Sequence, residues 1–176
     1  MISRKVDNKQ NKNGFTLVEI LLYVACASLL LLALSFLWIE LLAARGRQQA
    51  IIEVNEQGTA LVRMINQEIR SAQNINLPAI GTSGVILSLT SDDLFINPLV
   101  FDASSTTIRL SEAGGAAMAL TNSKVLADSL IFYNQSKLNT PGLISFSFHL
   151  RYDDASGRRE YQFDKTFQGT AALRQP

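Results

Sequence analysis

KNGFTLVEILLYVA, residues 12–25, opens a long apolar run with a carboxylate, Glu19, five residues in from its edge. An uncompensated charge in hydrocarbon costs roughly 2.5–3.5 kcal/mol on insertion scales. Either this carboxylate has a use, or the run does not enter a membrane. Residues 15–39 read FTLVEILLYVACASLLLLALSFLWI, with Tyr23 and Cys26 the only other ionisable groups. As a helix the stretch is about 37 Å long, enough to cross a hydrocarbon core of about 30 Å with some tilt. No Pro interrupts it, and no Gly follows Gly14 within it. Trp38 suits an interfacial anchor.

The leader ahead of the run is basic. Arg4, Lys5, Lys9 and Lys12 face only Asp7, a balance of +3 within a chain of net +1. Excess cations beside an apolar helix predict a cytoplasmic N-terminus and a translocated body. The body is mildly acidic, so no nucleic-acid partner is expected by default. A lone cysteine rules out an intrachain disulfide and any Cys/His metal cluster, and in an apolar run it reads as a small hydrophobe. Three other readings of the run stay open. A secretory signal could be cut at Ala25-Cys26-Ala27. A lipoprotein signal could end at Cys26. Either leaves the apolar SLLLLALSFLWI behind. A plain, uncleaved single-pass envelope anchor is the third, and none of the three uses Glu19.

Lys12-Asn13-Gly14 followed by Phe15-Thr16-Leu17-Val18-Glu19 resembles the type III signal of prepilins and pseudopilins, the type IV pilin-like family. The likeness runs over residues 12–39. It implies cleavage by a prepilin peptidase between Gly14 and Phe15, and N-methylation of Phe15 by the same class of enzyme. It further implies that Glu19 pairs with the N-terminal amine of a neighbouring subunit, so that Phe15 and Glu19 guide assembly. A buried ionic group that sets register is the best-attested use of such groups. Many major pilins carry a proline in the apolar segment and a C-terminal disulfide loop. This chain has neither, which favours a minor pilin or a pseudopilin.

After Glu40 the pattern turns amphipathic. Val54, Leu61, Ile65, Ile69 and Ala72 share one face. Gly46 and Gly58 each weaken a helix by about 1 kcal/mol, which leaves room for fraying or bending near them. Pro78, with Gly81 and Gly84 beyond, ends the pattern. From Val85 the period shifts toward two. Val85–Thr90, Leu94–Phe101, Thr106–Leu110, Ala116–Thr121 and Val125–Tyr133 read as strands. Leu143–Tyr152 and Arg159–Phe167 read as a hairpin about the turn at 153–157. Tyr161, Phe163 and Phe167 are expected inward, with Arg159 and Lys165 exposed. The predicted fold is α+β, a pilin-like lollipop with a long N-terminal helix packed on an antiparallel β-sheet head. Its expected divisions are a leader at 1–14, a membrane and filament-core helix at 15–39, an amphipathic half at 40–73 and a β-rich head at 74–176. A long strand-rich second half resembles the J-type minor pseudopilins of type II secretion, and minor type IV pilins equally.

Catalytic chemistry has little to stand on. His149 is the sole histidine, with parity opposite to Phe146 and Phe148, and reads as a solvent-facing strand residue. Ser145 and Ser147 have no recognisable base, and no phosphate-binding glycine motif occurs. Asp92-Asp93 and Asp153-Asp154 could contribute to a calcium site, but acidic pairs in turns are ordinarily turn residues. Arg151, Arg158 and Arg159 cluster at the hairpin end, where Asp153, Asp154 and Glu160 are expected to neutralise them. The expectation is therefore a non-enzyme with no cofactor or metal. The resemblance implies a subunit of a type II secretion pseudopilus or type IV pilus. Its implied partners are the prepilin peptidase, other minor and major pilins, an inner-membrane assembly platform and, before assembly, membrane lipid. The alternative is a filament-tip adhesin or a DNA- or substrate-binding minor pilin.

Overall fold

A computed structural model describes residues 16–153 and 161–174. The chain divides into two units, Met1–Leu42 and Ala43–Pro176. Among the described residues its elements are a helix α1 (Leu17–Ser71) and nine strands: β1 (Asn74–Leu77), β2 (Ser83–Gly84), β3 (Leu87–Thr90), β4 (Leu99–Ser104), β5 (Thr107–Glu112), β6 (Met118–Ala119), β7 (Val125–Asn134), β8 (Leu143–Tyr152) and β9 (Asp164–Ala172). The α+β class, one long helix with antiparallel strands, is as expected. The strands form two sheets rather than one, ordered β1-β3-β4-β5-β6 and β2-β7-β8-β9.

In the first unit the helix buries no side chain among the described residues. Every described residue up to Leu42 is exposed, among them Leu17, Leu30, Phe36 and Trp38. The two hydroxyls within it are satisfied locally, Ser28 donating to the Ala25 carbonyl and Ser35 to that of Leu31, both at 2.8 Å. That arrangement suits a helix leaving water, where unpaired polar groups are costly.

In the second unit the same helix presents a buried stripe at spacings of three and four: Gly46, Ala50, Val54, Gly58, Leu61, Ile65 and Ile69. Ala72 lies just beyond the helix end and is buried too. All five positions assigned to this face from periodicity are therefore buried. The two glycines do not break the helix. They lie in the stripe, and aromatic rings occupy the space that a Cβ would need: Tyr161 at Gly46, Phe167 at Gly58. The helix runs through both positions without a break. At Gly58 the lost helix propensity is offset by close packing of the buried Phe167 ring.

Opposite the stripe, the inner faces of β7, β8 and β9 carry a run of rings. Phe132, Phe146, Phe148 and Phe167 follow one another with centroids 6.4, 6.3 and 5.5 Å apart. The register Phe132↔Phe146 and Phe148↔Phe167 sets this sequence. Leu87, Leu89, Phe101 and Ile108 bring the five-stranded sheet into the same core. The β4–β5 hairpin turns tightly at Ser105, which has φ 59°, and Arg109 grips its cross-strand partner Asp102 through two hydrogen bonds of 2.9 and 2.6 Å.

β8 spans the predicted Leu143–Tyr152, and β7 adds Asn134 to its predicted span. The returning hairpin strand starts later than expected, at Asp164. Phe167 is nonetheless buried, and Tyr161 and Phe163 are half-buried. Residues 94–98 are not strand. Leu94 and Phe95 stand in solvent on a turn. β1 and β2 were not anticipated.

Candidate processing and assembly site

Thr16 begins the described chain and caps α1. Its carbonyl accepts the N–H groups of Glu19 (3.1 Å) and Ile20 (3.2 Å), and its hydroxyl also accepts from Glu19 N–H at 3.3 Å. Thr16 is thus the N-cap, with Glu19 three residues in, in the first turn. This is the Thr-x-x-Glu spacing of a capping box. Sequence reasoning missed this role, although a Thr three residues before a Glu at the head of an apolar run was a readable signal. A carboxylate in the first turn is favoured by unpaired N–H groups and by the helix dipole. Gly14 and Phe15, the expected cleavage pair, lie outside the described residues, as does the basic leader. α1 is long and apolar enough near its N-terminus to cross a membrane. Cys26 is free and exposed within it.

The other chemistry-bearing residues sit on the second unit. His149 is on the outer face of β8, as its parity required, but it is not without partners. Its Nδ1 lies 3.3 Å from Asp128 Oδ2 on β7, and its Nε2 lies 3.0 Å from Asp164 Oδ2 on β9. Arg151 donates from Nε to the other oxygen of Asp128 at 3.0 Å. Asp128 was not among the partners expected for Arg151, and Asp154, Arg158, Arg159 and Glu160 lie outside the described residues. The four side chains form a polar cross-strand cluster. Ser145 is reached by Thr170 Oγ1 at 3.4 Å.

Asp93 accepts the Phe95 N–H at 2.9 Å and so shapes its turn, whereas Asp92 accepts from Gln73 Nε2 at 2.6 Å, 19 residues away. Asp154 lies outside the described residues. Among the described residues no group of three or more His, Cys, Asp or Glu is arranged to hold a metal ion. Burial, reinforced by the nearby Glu112, raises the Glu68 carboxyl above its ordinary value. Lys165 reaches across from β9 to Asn55 Oδ1 on the helix at 2.7 Å and lies over the Phe167 ring.

A family model described as the prokaryotic N-terminal methylation motif matches residues 9–35. That interval contains Gly14, Phe15 and Glu19 and runs well into α1. No curated protein and no solved structure matches the chain. Over those residues the chain carries an N-terminal methylation signal of the kind found in type IV pilin- and pseudopilin-like prepilin-peptidase substrates. Together with the apolar helix it agrees with membrane anchoring.

Proposed function

We propose that this chain is a minor pilin or pseudopilin, a structural and assembly-initiating subunit of a type II secretion pseudopilus or a type IV pilus. The observation that carries the reading is a coincidence of position. The methylation motif at 9–35 runs directly into a helix whose apolar first unit is exposed throughout, whereas the same helix is buried on one face in the second unit. A segment of that kind needs lipid or the helices of other subunits around it. Filament assembly exchanges the first for the second.

In this reading a prepilin peptidase cuts between Gly14 and Phe15 on the cytoplasmic side, and Phe15 is then N-methylated. The leader is lost and the membrane helix stays in place. The new amine is a cation at the membrane edge, four residues from Glu19. Glu19 of one subunit neutralises the amine of the next as an inner-membrane platform moves subunits into the filament. The second unit is extracytoplasmic. The lack of a membrane proline and of a disulfide loop supports minor over major status.

Mass spectrometry of the membrane-extracted chain tests the reading. A mature N-terminus at N-methylated Phe15 is expected. A start at Met1, Cys26 or Ser28 refutes it, because the subunit then keeps its leader or loses part of its helix. Gly14→Glu is expected to leave the leader uncut and the chain anchored.

A further inference from the structure

Two features of the second unit have no role in processing, and their chemistry is complementary. The first is the turn at residues 91–96. Leu94 is 82% and Phe95 89% exposed, two large apolar side chains side by side. The turn that presents them is well tied. Ser91 Oγ accepts the Asp93 N–H at 3.2 Å, the Asp93 carboxylate accepts the Phe95 N–H, and the Asp93 carbonyl accepts the Ile96 N–H at 3.3 Å. On the far side the Ile96 carbonyl accepts the Ala113 N–H. A ring held out by a pre-formed turn loses little freedom on docking. The two carboxylates beside it give the knob a negative collar.

The second feature is a cleft of about 310 Å³, at the small end of the range of ligand pockets. Ile75, Ile80, Leu138 and Leu173 give it apolar walls, and Lys137 and Arg174 supply its charge; no acidic residue lines it. Leu138 is 84% exposed at its mouth. Gly142, which also lines it, packs against Ile75 so closely that a Cβ there would lie 2.6 Å from Ile75 Cδ1. The chain's own Phe95 does not fill this cleft: Gln73, which lines it, holds Asp92 at its border, yet the ring stays in solvent.

We propose that the Leu94–Phe95 knob of one copy docks in the Ile75–Ile80–Leu138–Leu173 cleft of a second copy of this chain, with Asp92 and Asp93 set against Lys137 and Arg174. The complementarity is twofold, apolar knob to apolar cleft and acidic collar to basic rim. An aromatic anchor inside a charged rim is the usual anatomy of a specific contact. One knob is a small interface, and it suffices where both copies are confined to one membrane or one filament at high effective concentration.

The proposal rests on the reading of the chain as an assembling subunit, and cysteine cross-linking of the full-length chain in membranes tests it separately from processing. In a Cys26→Ser background, Phe95→Cys and Leu138→Cys chains carrying different tags are expressed together and oxidised. The structure predicts a mixed 95–138 dimer. Setting like charges against the collar with Lys137→Glu and Arg174→Glu on the cleft copy lowers its yield about tenfold, and Asp92→Lys on the knob copy, which leaves the Asp93 turn bond intact, restores part of it. Phe95 and Leu138 are outside the core, so protease resistance of the second unit confirms folding in each variant. A folded pair that gives no mixed dimer overturns the proposal. So do 95–95 dimers alone, or cross-links from residue 95 only to a different protein. Loss of the mixed dimer with normal cleavage at Phe15 refutes the contact alone, and failure of cleavage refutes the subunit reading alone.

Discussion

Gly58→Ala on α1 sets two known effects against each other. In an open helix the change is stabilising by about 1 kcal/mol, through propensity. Here the new Cβ would fall on Phe167, closer to three of its ring carbons than Cβ atoms are found in proteins. The ring cannot swing aside cheaply. It is nearly buried and stacked 5.5 Å from Phe148, with Lys165 over its face. Overpacking of that kind costs about 1–3 kcal/mol, and the severity of the overlap puts it at the upper end. The net expectation is a loss of about 1–2 kcal/mol. With a urea slope near 2 kcal/mol/M, the midpoint should fall by about 0.5–1 M. Urea-dependent pulse proteolysis of the full chain in nanodiscs reads this directly. Phe167→Leu should cost stability alone but recover part of the loss when combined with Gly58→Ala, a coupling that a double-mutant cycle isolates. A stabilised Gly58→Ala chain, with no coupling to residue 167, would refute the idea that this glycine exists to admit the ring.

Gly46→Ala should behave oppositely. Its Cβ would meet Tyr161 Cε1 at 2.6 Å, but that ring is half-exposed and can shift, so the same assay should show no loss, or a gain of up to about 1 kcal/mol. Glu68→Gln should stabilise the second unit at neutral pH. The folded state raises this carboxyl above its unfolded value of 4.5, so the group's favourable contribution is complete below that value and is lost as pH rises through the raised one. The wild-type chain should therefore weaken relative to the variant over that rise, and the two should converge in acid, as followed by urea midpoints across pH. Asp128→Asn should cost more than Asp164→Asn, because Asp128 holds both His149 and Arg151. Each effect should be about 0.2–1 kcal/mol and shrink in 1 M salt.

How much was readable from the chain depends on how local each signal is. The buried stripe from Val54 to Ile69 and the strand Leu143–Tyr152 were legible because each repeats a single period over many residues. The motif at Gly14-Phe15…Glu19 was legible because its parts are adjacent in sequence. Leu94–Phe101 misled because two apolar side chains at a turn resemble the start of a strand. They are exposed instead, and only Leu99 onward pairs. β1 and β2 were missed because β1 has four residues with an irregular register and β2 has two. Such short strands exist through partners at Thr90 and Tyr133, not through any pattern of their own. The Asp128–His149–Asp164 cluster needed the register of three strands, with partners 21 and 15 residues from the histidine. The packing role of the glycines was missed for the same reason. Propensity is local, but the rings that fill their space come from more than 100 residues away.

Glu19 is where the local and the assembled accounts can be separated. Its position in the first turn, with its N–H held by Thr16, gives a carboxylate a reason to be there without any neighbour. The dipole and the free N–H groups favour an anion at that point by about 0.3–1 kcal/mol, and up to about 2 in sheltered sites. That falls short of the roughly 2.5–3.5 kcal/mol charged for an anion at mid-membrane, so the cap lowers the cost of Glu19 without cancelling it. A cation must supply the rest, or the carboxylate must stay near the headgroups. Glu19→Gln distinguishes the two. Glutamine keeps the capping-box geometry and enters lipid more readily than a carboxylate, so anchoring and cleavage at Phe15 should persist. It cannot neutralise an amine, so if Glu19 works between subunits, incorporation into filaments should collapse while the membrane pool remains full. Glu19→Asp keeps the charge on a shorter arm and should incorporate better than the glutamine variant. Equal incorporation of wild type and Glu19→Gln, measured by immunoblot of sheared filaments against the membrane pool, would leave the carboxylate as a helix-capping residue and remove it from assembly.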